Sequence, residues 1–382
     1  MWVVITSIKL TVMAGWIIAP VVHVMRADLG VGPVSAGLII TTHALFTALF
    51  YPPAKIIVSK IGVKKALGFG LLLYGVSGGS GLVINTYWLL LISRVLLGIG
   101  YALTLTPLTA VLNLYEEEEV EKMMGVSKDT KAFGSINWPV FGGFLGIFSW
   151  HLPFAVYLFA IPLGLVVLIS VPEIYRKSKD TRKQDTELMK EDYPLTGASF
   201  HEKYLLLVVY GLTFLTNILL FTILIFLPQL LEGTWISFPF FISLFFIAVM
   251  ISGAVTSSKY QKIRSALSNK MVIPTALGLW AAGFAAISQT YSSLIILASV
   301  VLFGIGEGLI TPAVATWVDN TIPLSYCSKV KSRMGTIRYL GQFSAPVVFF
   351  PVVVLEGLPG VFLAAAGVCA VLFLLFLAGG KE

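Results

Sequence analysis

Apolar residues run along the chain in long unbroken blocks, with short polar gaps between them. Twelve such segments fall at residues 2–24, 34–57, 66–86, 88–114, 124–149, 152–172, 204–230, 236–257, 271–289, 293–318, 334–355 and 359–379. Each is close to the roughly 20 apolar residues an α-helix needs to cross a bilayer. Hydrocarbon offers backbone N–H and C=O groups no outside partner, so the pattern predicts spanning helices packed as a bundle. The segment 2–24 lacks the charged start and cleavage site of a secretory leader and is expected to remain as the first spanning helix.

The gaps differ sharply in charge. With the N-terminus placed in the cytoplasm, 23 of the 26 Lys and Arg residues fall in inward gaps or at their edges and Arg26 alone falls in an outward one. Lys9 and Arg94 remain inside segments. Short loops rich in Lys and Arg stay cytoplasmic, so both termini are predicted inside a multi-pass protein of the cytoplasmic membrane. The net charge of +7 is therefore assigned to the lipid surface rather than to nucleic acid. The gap 173–203 is long and dense in charge of both signs, which marks a solvated linker between an N-terminal bundle, 1–172, and a C-terminal one, 204–382. Two cysteines, Cys327 and Cys369, make no disulfide framework, and no metal-ligand spacing is present.

The two halves repeat one another. Val95–Gly100 (VLLGIG) returns as Val301–Gly306 (VLFGIG), Thr106-Pro107 as Thr311-Pro312, and Met124-Gly125 as Met334-Gly335. Three matches in order point to an internal repeat of six helices, the build of alternating-access carriers.

On these residues the chain resembles the major facilitator superfamily over nearly its whole length. Arg94, Gly98 and Gly100 are similar to the family's fourth-helix motif, with Leu97 where glutamine is usual. Gly125, Gly134, Pro139, Gly142 and Gly143 match five of six fixed positions of its fifth-helix antiporter motif, and Trp138 replaces a glycine. The loop after the second segment keeps Lys60, Gly62 and Lys64 of the cytoplasmic signature but has Lys55 for glycine and Ser59 for aspartate. The resemblance implies an all-α membrane fold of twelve helices in two pseudo-symmetric six-helix bundles. It further implies that helices 1, 4, 7 and 10 line a central cavity. Pro139 cannot donate to the carbonyl of Ser135, which permits a bend, and the neighbouring glycines admit a closely packed helix.

The placement of charge agrees with that implication. Segments 3, 6, 9 and 12 contain no ionisable Lys, Arg, His, Asp or Glu, whereas Lys9, Arg94 and Glu307 lie in segments 1, 4 and 10. A charge near the bilayer centre costs at least ~2.5–3.5 kcal/mol, so such residues usually border a water-accessible path. Tyr210, Thr213 and Asn217 add a polar stripe on segment 7. At 1.5 Å per residue Glu307 lies about 20 Å in from the outer end of its segment. Two roles stand open for it: a carboxylate that loads and unloads a proton, and a structural ion-pair partner for Lys9 or another base. Arg94 has two readings as well, an anion or proton-tuning site and a packing role on backbone carbonyls. Lys9 can also snorkel to the inner surface. His43 reads as a packing residue. At the inner face, Glu116 near Lys60 and Lys64, and Asp319 near Lys259, Lys262 and Arg264, suggest a gate of weak ion pairs.

The expected function is secondary active transport of a small molecule, leaning to proton-coupled efflux by antiport. The alternative is uptake or exchange of a small anion, suggested by Lys9 and Arg94. A non-transporting receptor is a third reading. No nucleophile–base pair or nucleotide-binding loop is present, so no enzyme and no cofactor are expected. The expected partners are a small-molecule substrate, protons and the lipid bilayer, with the protein acting as a monomer.

Overall fold

A computed structural model of the protein describes residues 6–7, 10–11, 13–112, 137–170, 200–268 and 270–379. Among these residues the secondary structure is helical throughout. The first half carries α1 (Val22–Asp28), α2 (Pro33–Ile61), α3 (Val63–Gly79), α4 (Tyr87–Leu112), α5 (137–146) and α6 (Ala160–Ser170). Short 3-10 turns at Ala19–Val21 and Leu152–Phe159 precede α1 and α6. The second half carries α7 (Phe200–Leu230), α8 (Pro239–Ser258), α9 (Tyr260–Leu267), α10 (Val272–Ser288), α11 (Ser293–Thr321), α12 (Leu324–Val348) and α13 (Phe350–Gly379).

Seven of these helices are long and apolar enough to cross a membrane, or eight if α9 and α10 are taken as one bent span. The other predicted segments fall short for distinct reasons. α3 and α10 are 17 residues each, at the lower limit for spanning. α12 carries Lys329, Lys331, Arg333 and Arg338, and α5 and the first segment lie only partly among the described residues.

The segment 2–24 is not one continuous helix. It turns through residues 14–18, where Gly15 has φ +83°, before the 3-10 turn and α1. Neighbouring chains take up backbone carbonyls here: the Tyr74 hydroxyl donates to the Leu10 carbonyl at 2.7 Å. α12 begins ten residues before the predicted 334, because hydropathy marks the apolar part of a helix and its first turns are polar. Arg338, counted above with the inner gap, therefore lies well inside α12. The basic gap after segment 8 also holds a helix, α9. The predicted break between the last two segments coincides with a kink in α13 at Gly357, φ +70°.

Packing is tight wherever small residues meet backbone. A Cβ at Gly100 of α4 would lie 2.7 Å from the Tyr74 amide nitrogen, and one at Gly70 of α3 only 2.8 Å from that of Thr104. α4 is thus pressed onto α3, and α2 packs on α4. In the second half α8 and α10 flank α11, α7 packs on α12, and α2 meets α12 across the halves. Gly62, φ +91°, makes the sharp turn between α2 and α3.

Candidate functional site

Rotation of α11 is fixed by its glycines. Gly304 and Gly308 lie against Val249, Gly253 and Thr256 of α8, and Gly306 lies against Trp280 of α10. This leaves Glu307 half-buried, with the Thr311 hydroxyl, one turn on, donating to Oε1 at 2.9 Å. Its other oxygen, Oε2, is buried with no hydrogen-bond partner among the described residues. The charge of Arg338 on α12 acts on the same carboxylate.

Beside Arg338, the Tyr339 hydroxyl of α12 donates to the Tyr101 hydroxyl of α4 at 3.1 Å, joining the halves inside the bundle. The two rings meet edge-to-face with centroids 5.7 Å apart. His43, tilted against Tyr101 at 6.4 Å, has Nδ1 2.7 Å from the Ile40 carbonyl, as expected of a packing histidine. On α7, the Asn217 amide donates to the Thr213 carbonyl at 2.9 Å, and its oxygen accepts from Gln342 of α12 at 3.4 Å. Thr213 donates to the Val209 carbonyl, and Tyr210 is half-buried. The α7 stripe thus faces α12, where Gly341 admits the Phe214 carbonyl.

Arg94 stands apart from this group. It is fully buried, with Nη2 donating to the carbonyls of Ser77 at 3.4 Å and Gly78 at 3.2 Å, and its guanidinium lies 5.0 Å from the Phe154 ring and 5.5 Å from that of Tyr157. Its partners belong to α3, α4 and the turn before α6, which is the packing arrangement. Lys9, Gly125, Gly134 and Glu116 lie outside the described residues. Of the fifth-helix motif, Gly142 meets the Ile17 carbonyl and Gly143 meets the Pro239 carbonyl and Ser243, while Trp138 is half-buried beside Phe141. Pro139 lies in the first turn of the described part of that helix.

Between α2 and α3 Gly62 shapes the turn, Lys60 is exposed and Lys64 half-buried. Asp319 pairs with Lys331 of α12 at 2.6 Å, not with the basic loop after α8 as expected, because the early start of α12 brings Lys331 alongside it. At the opposite end Arg26 pairs with Glu232, and Gln229 donates to the Pro33 carbonyl at 3.3 Å. Trp150 donates to Asp28 at 2.9 Å, and His151 bonds Asn85 at 2.6 Å. Partial burial holds the His151 imidazole below the ordinary histidine value, against the opposing pull of Asp28. Of these, the Arg26–Glu232 pair and the Gln229–Pro33 bond tie one half to the other.

Sequence reasoning overlooked Tyr101, Tyr339, Gln342 and, as a site residue, Arg338. The available signal was a charged residue, Arg338, within the predicted segment 334–355, with Tyr339 next to it and Gln342 one turn beyond.

A family model for the Major Facilitator Superfamily matches residues 5–346. The chain is 23% identical over 364 residues to the bacillibactin exporter of Bacillus subtilis (strain 168), covering 91% of this chain and 88% of that protein. It is 28% identical over 167 residues to the quinolone resistance protein NorA of Staphylococcus aureus, covering 43% of this chain and 42% of the other. Its fold is similar to that of the nucleoside transporter NupG, with a TM-score of 0.77 at 14% identity over 100% of this chain and 99% of that one. It also resembles a bacterial homolog of the human lysosomal transporter Spinster in an inward-facing and occupied conformation, with a TM-score of 0.72 at 14% identity over 99% and 94%.

Proposed function

Since the chain belongs to the major facilitator superfamily, a family of membrane transporters and not of enzymes, we propose that it exports a small molecule by alternating access in exchange for protons. In this reading twelve spans form two six-helix halves in the cytoplasmic membrane, with both termini inside. The observation that carries it is the Glu307 carboxylate: half-buried, bonded through one oxygen to Thr311 and, among the described residues, with no partner for the other. A carboxylate so placed can take a proton in one state and release it in the other as hydration changes. Arg338 is the nearby cation whose charge helps decide which form prevails. Likeness to the bacillibactin exporter supports the outward direction, and with the likeness to a quinolone resistance protein makes bacillibactin and quinolones the first compounds to assay.

The test is accumulation by purified protein in liposomes. A one-unit pH gradient coupled to one proton per substrate sustains about tenfold accumulation. Glu307→Gln is expected to abolish that accumulation while leaving gradient-free substrate exchange. If Glu307→Gln still concentrates substrate, the carboxylate is not the coupling group. The anion reading keeps one support, the exposed Arg338 beside the bridge. Uptake of labelled organic anions without a pH gradient, lost in Arg338→Gln, would favour it.

A further inference from the structure

The bundle end at α9 holds a polar cavity away from Glu307. After α8 the chain turns at Lys259 into α9, whose axis lies 102° from that of α10, so α9 crosses the bundle end instead of continuing through it. α9 is amphipathic. Tyr260 is buried and Ile263 packs on the core, while Gln261, Lys262, Ser265 and Ala266 are exposed. Residues 259–270 contain Lys259, Lys262, Arg264 and Lys270 and no acid. Basic amphipathic helices of this kind lie in the headgroup layer of a membrane.

Arg264 departs from the exposed basic face. It is half-buried one turn after Tyr260, and both line a cavity of about 240 Å³ closed on the far side by α11. α11 contributes Thr316, Asn320 and Thr321 as polar groups and Trp317 as an apolar wall. Ile273, in the first turn of α10, lines the same space, and that helix start has no side-chain cap. The last carbonyls of α11 oppose an anion, whereas Arg264 and the start of α10 favour one.

We propose that this cavity binds the phosphodiester headgroup of an anionic phospholipid from the adjacent leaflet. Arg264 faces the phosphate, Asn320 and Thr321 meet the headgroup hydroxyls, and Tyr260 and Trp317 meet the first methylenes. A guanidinium suits a phosphate through paired N–H donors. The exposed Lys259, Lys262 and Lys270 draw anionic lipid to the rim without entering the cavity. Lipid held here would tie α9 to the end of α11, the helix that carries Glu307.

Native mass spectrometry of the purified full-length protein, supplied with phosphatidylglycerol, phosphatidylcholine or glycerol 3-phosphate, tests the site independently of any transport reading. Phosphatidylglycerol is expected to be retained in preference to the other two. Arg264→Gln is expected to weaken that retention about tenfold or more, the loss of a hydrogen bond between charged groups. Lys262→Gln on the exposed face is expected to do less. If Arg264→Gln melts early, Asn320→Leu at an exposed position serves in its place, with reduced retention expected again. Equal retention of phosphatidylcholine overturns the proposal, as does displacement of the lipid by glycerol 3-phosphate. An equal loss in Lys262→Gln, or unchanged retention in both cavity variants, overturns it too.

Discussion

Arg94 shows how a buried cation can be held without an acid. Among the described residues its contacts are two carbonyls, the Ser93 hydroxyl and two aromatic faces, with one nitrogen, Nη1, left unbonded. Hydrogen bonds to a charged group contribute about 1.5–3 kcal/mol each, so the side chain ties α4 to α3 and the turn before α6. Lysine keeps the charge but not the planar fork that reaches two carbonyls while stacking. Arg94→Lys is therefore expected to lower the melting temperature in detergent markedly, whereas Glu307→Gln leaves it nearly unchanged. An Arg94→Lys variant that melts like the parent yet has lost transport would assign the arginine to the pathway instead. The sequence identified Arg94 as a charge at hydrocarbon depth, and the family motif named its helix. Which way it faced depended on Gly70 and Gly100 setting the rotation of α4 against α3, a contact 30 residues apart that spacing within one helix does not reveal.

For whole helices, apolar length was the readable quantity and helix ends were not. α2, α4, α7, α8, α11 and the two arms of α13 lie where the apolar blocks predicted them. The first ten residues of α12, six of them Ser, Lys or Arg, and the basic helix α9, were hidden because helix formation at a membrane surface needs no apolar run. The break in the first segment falls at Gly15, φ +83°, and Pro20 lies in the 3-10 turn that follows, but neither interrupts the apolar run that marks the segment. α5 packs on this turn, where Gly142 meets the Ile17 carbonyl. Gly142→Ala sets a methyl against that carbonyl. Overpacking of this kind costs about 1–3 kcal/mol, and a lower melting temperature together with slower transport is the expected outcome. Gly211→Ala on α7, where a Cβ meets nothing within 4 Å, is the matched control and is expected to be neutral or slightly stabilising. Equal behaviour of the two variants would remove the close approach as the reason for glycine at 142.

Among the described residues, Arg26 and Glu232, whose side chains are 24% and 35% exposed, form a polar tie between the halves at one end. Partly exposed pairs contribute about 0–1 kcal/mol, so this one biases a conformational equilibrium by up to about fivefold and does not lock it. Single reversals, Arg26→Glu or Glu232→Arg, are expected to raise the population open at this end, read as a longer distance between spin labels on the two halves. The double reversal is expected to restore the parent distribution. A double reversal that stays open would show that the pair's geometry, or Gln229 on the Pro33 carbonyl, holds the end shut. The internal repeat made two comparable halves legible from sequence, but which end they close at rests on contacts between residues some 200 positions apart.

The tyrosine bridge from α4 to α12 has a consequence for the leverage of any rocking motion. A link inside the bundle sits nearer the fulcrum than Arg26 and Glu232 do, so a given rotation stretches it far less than it separates the rim. In the proposed rocking cycle two neutral hydroxyls at that point can slide without stripping water from an ion, so stiffness there and bias at the tip of the lever could be altered independently.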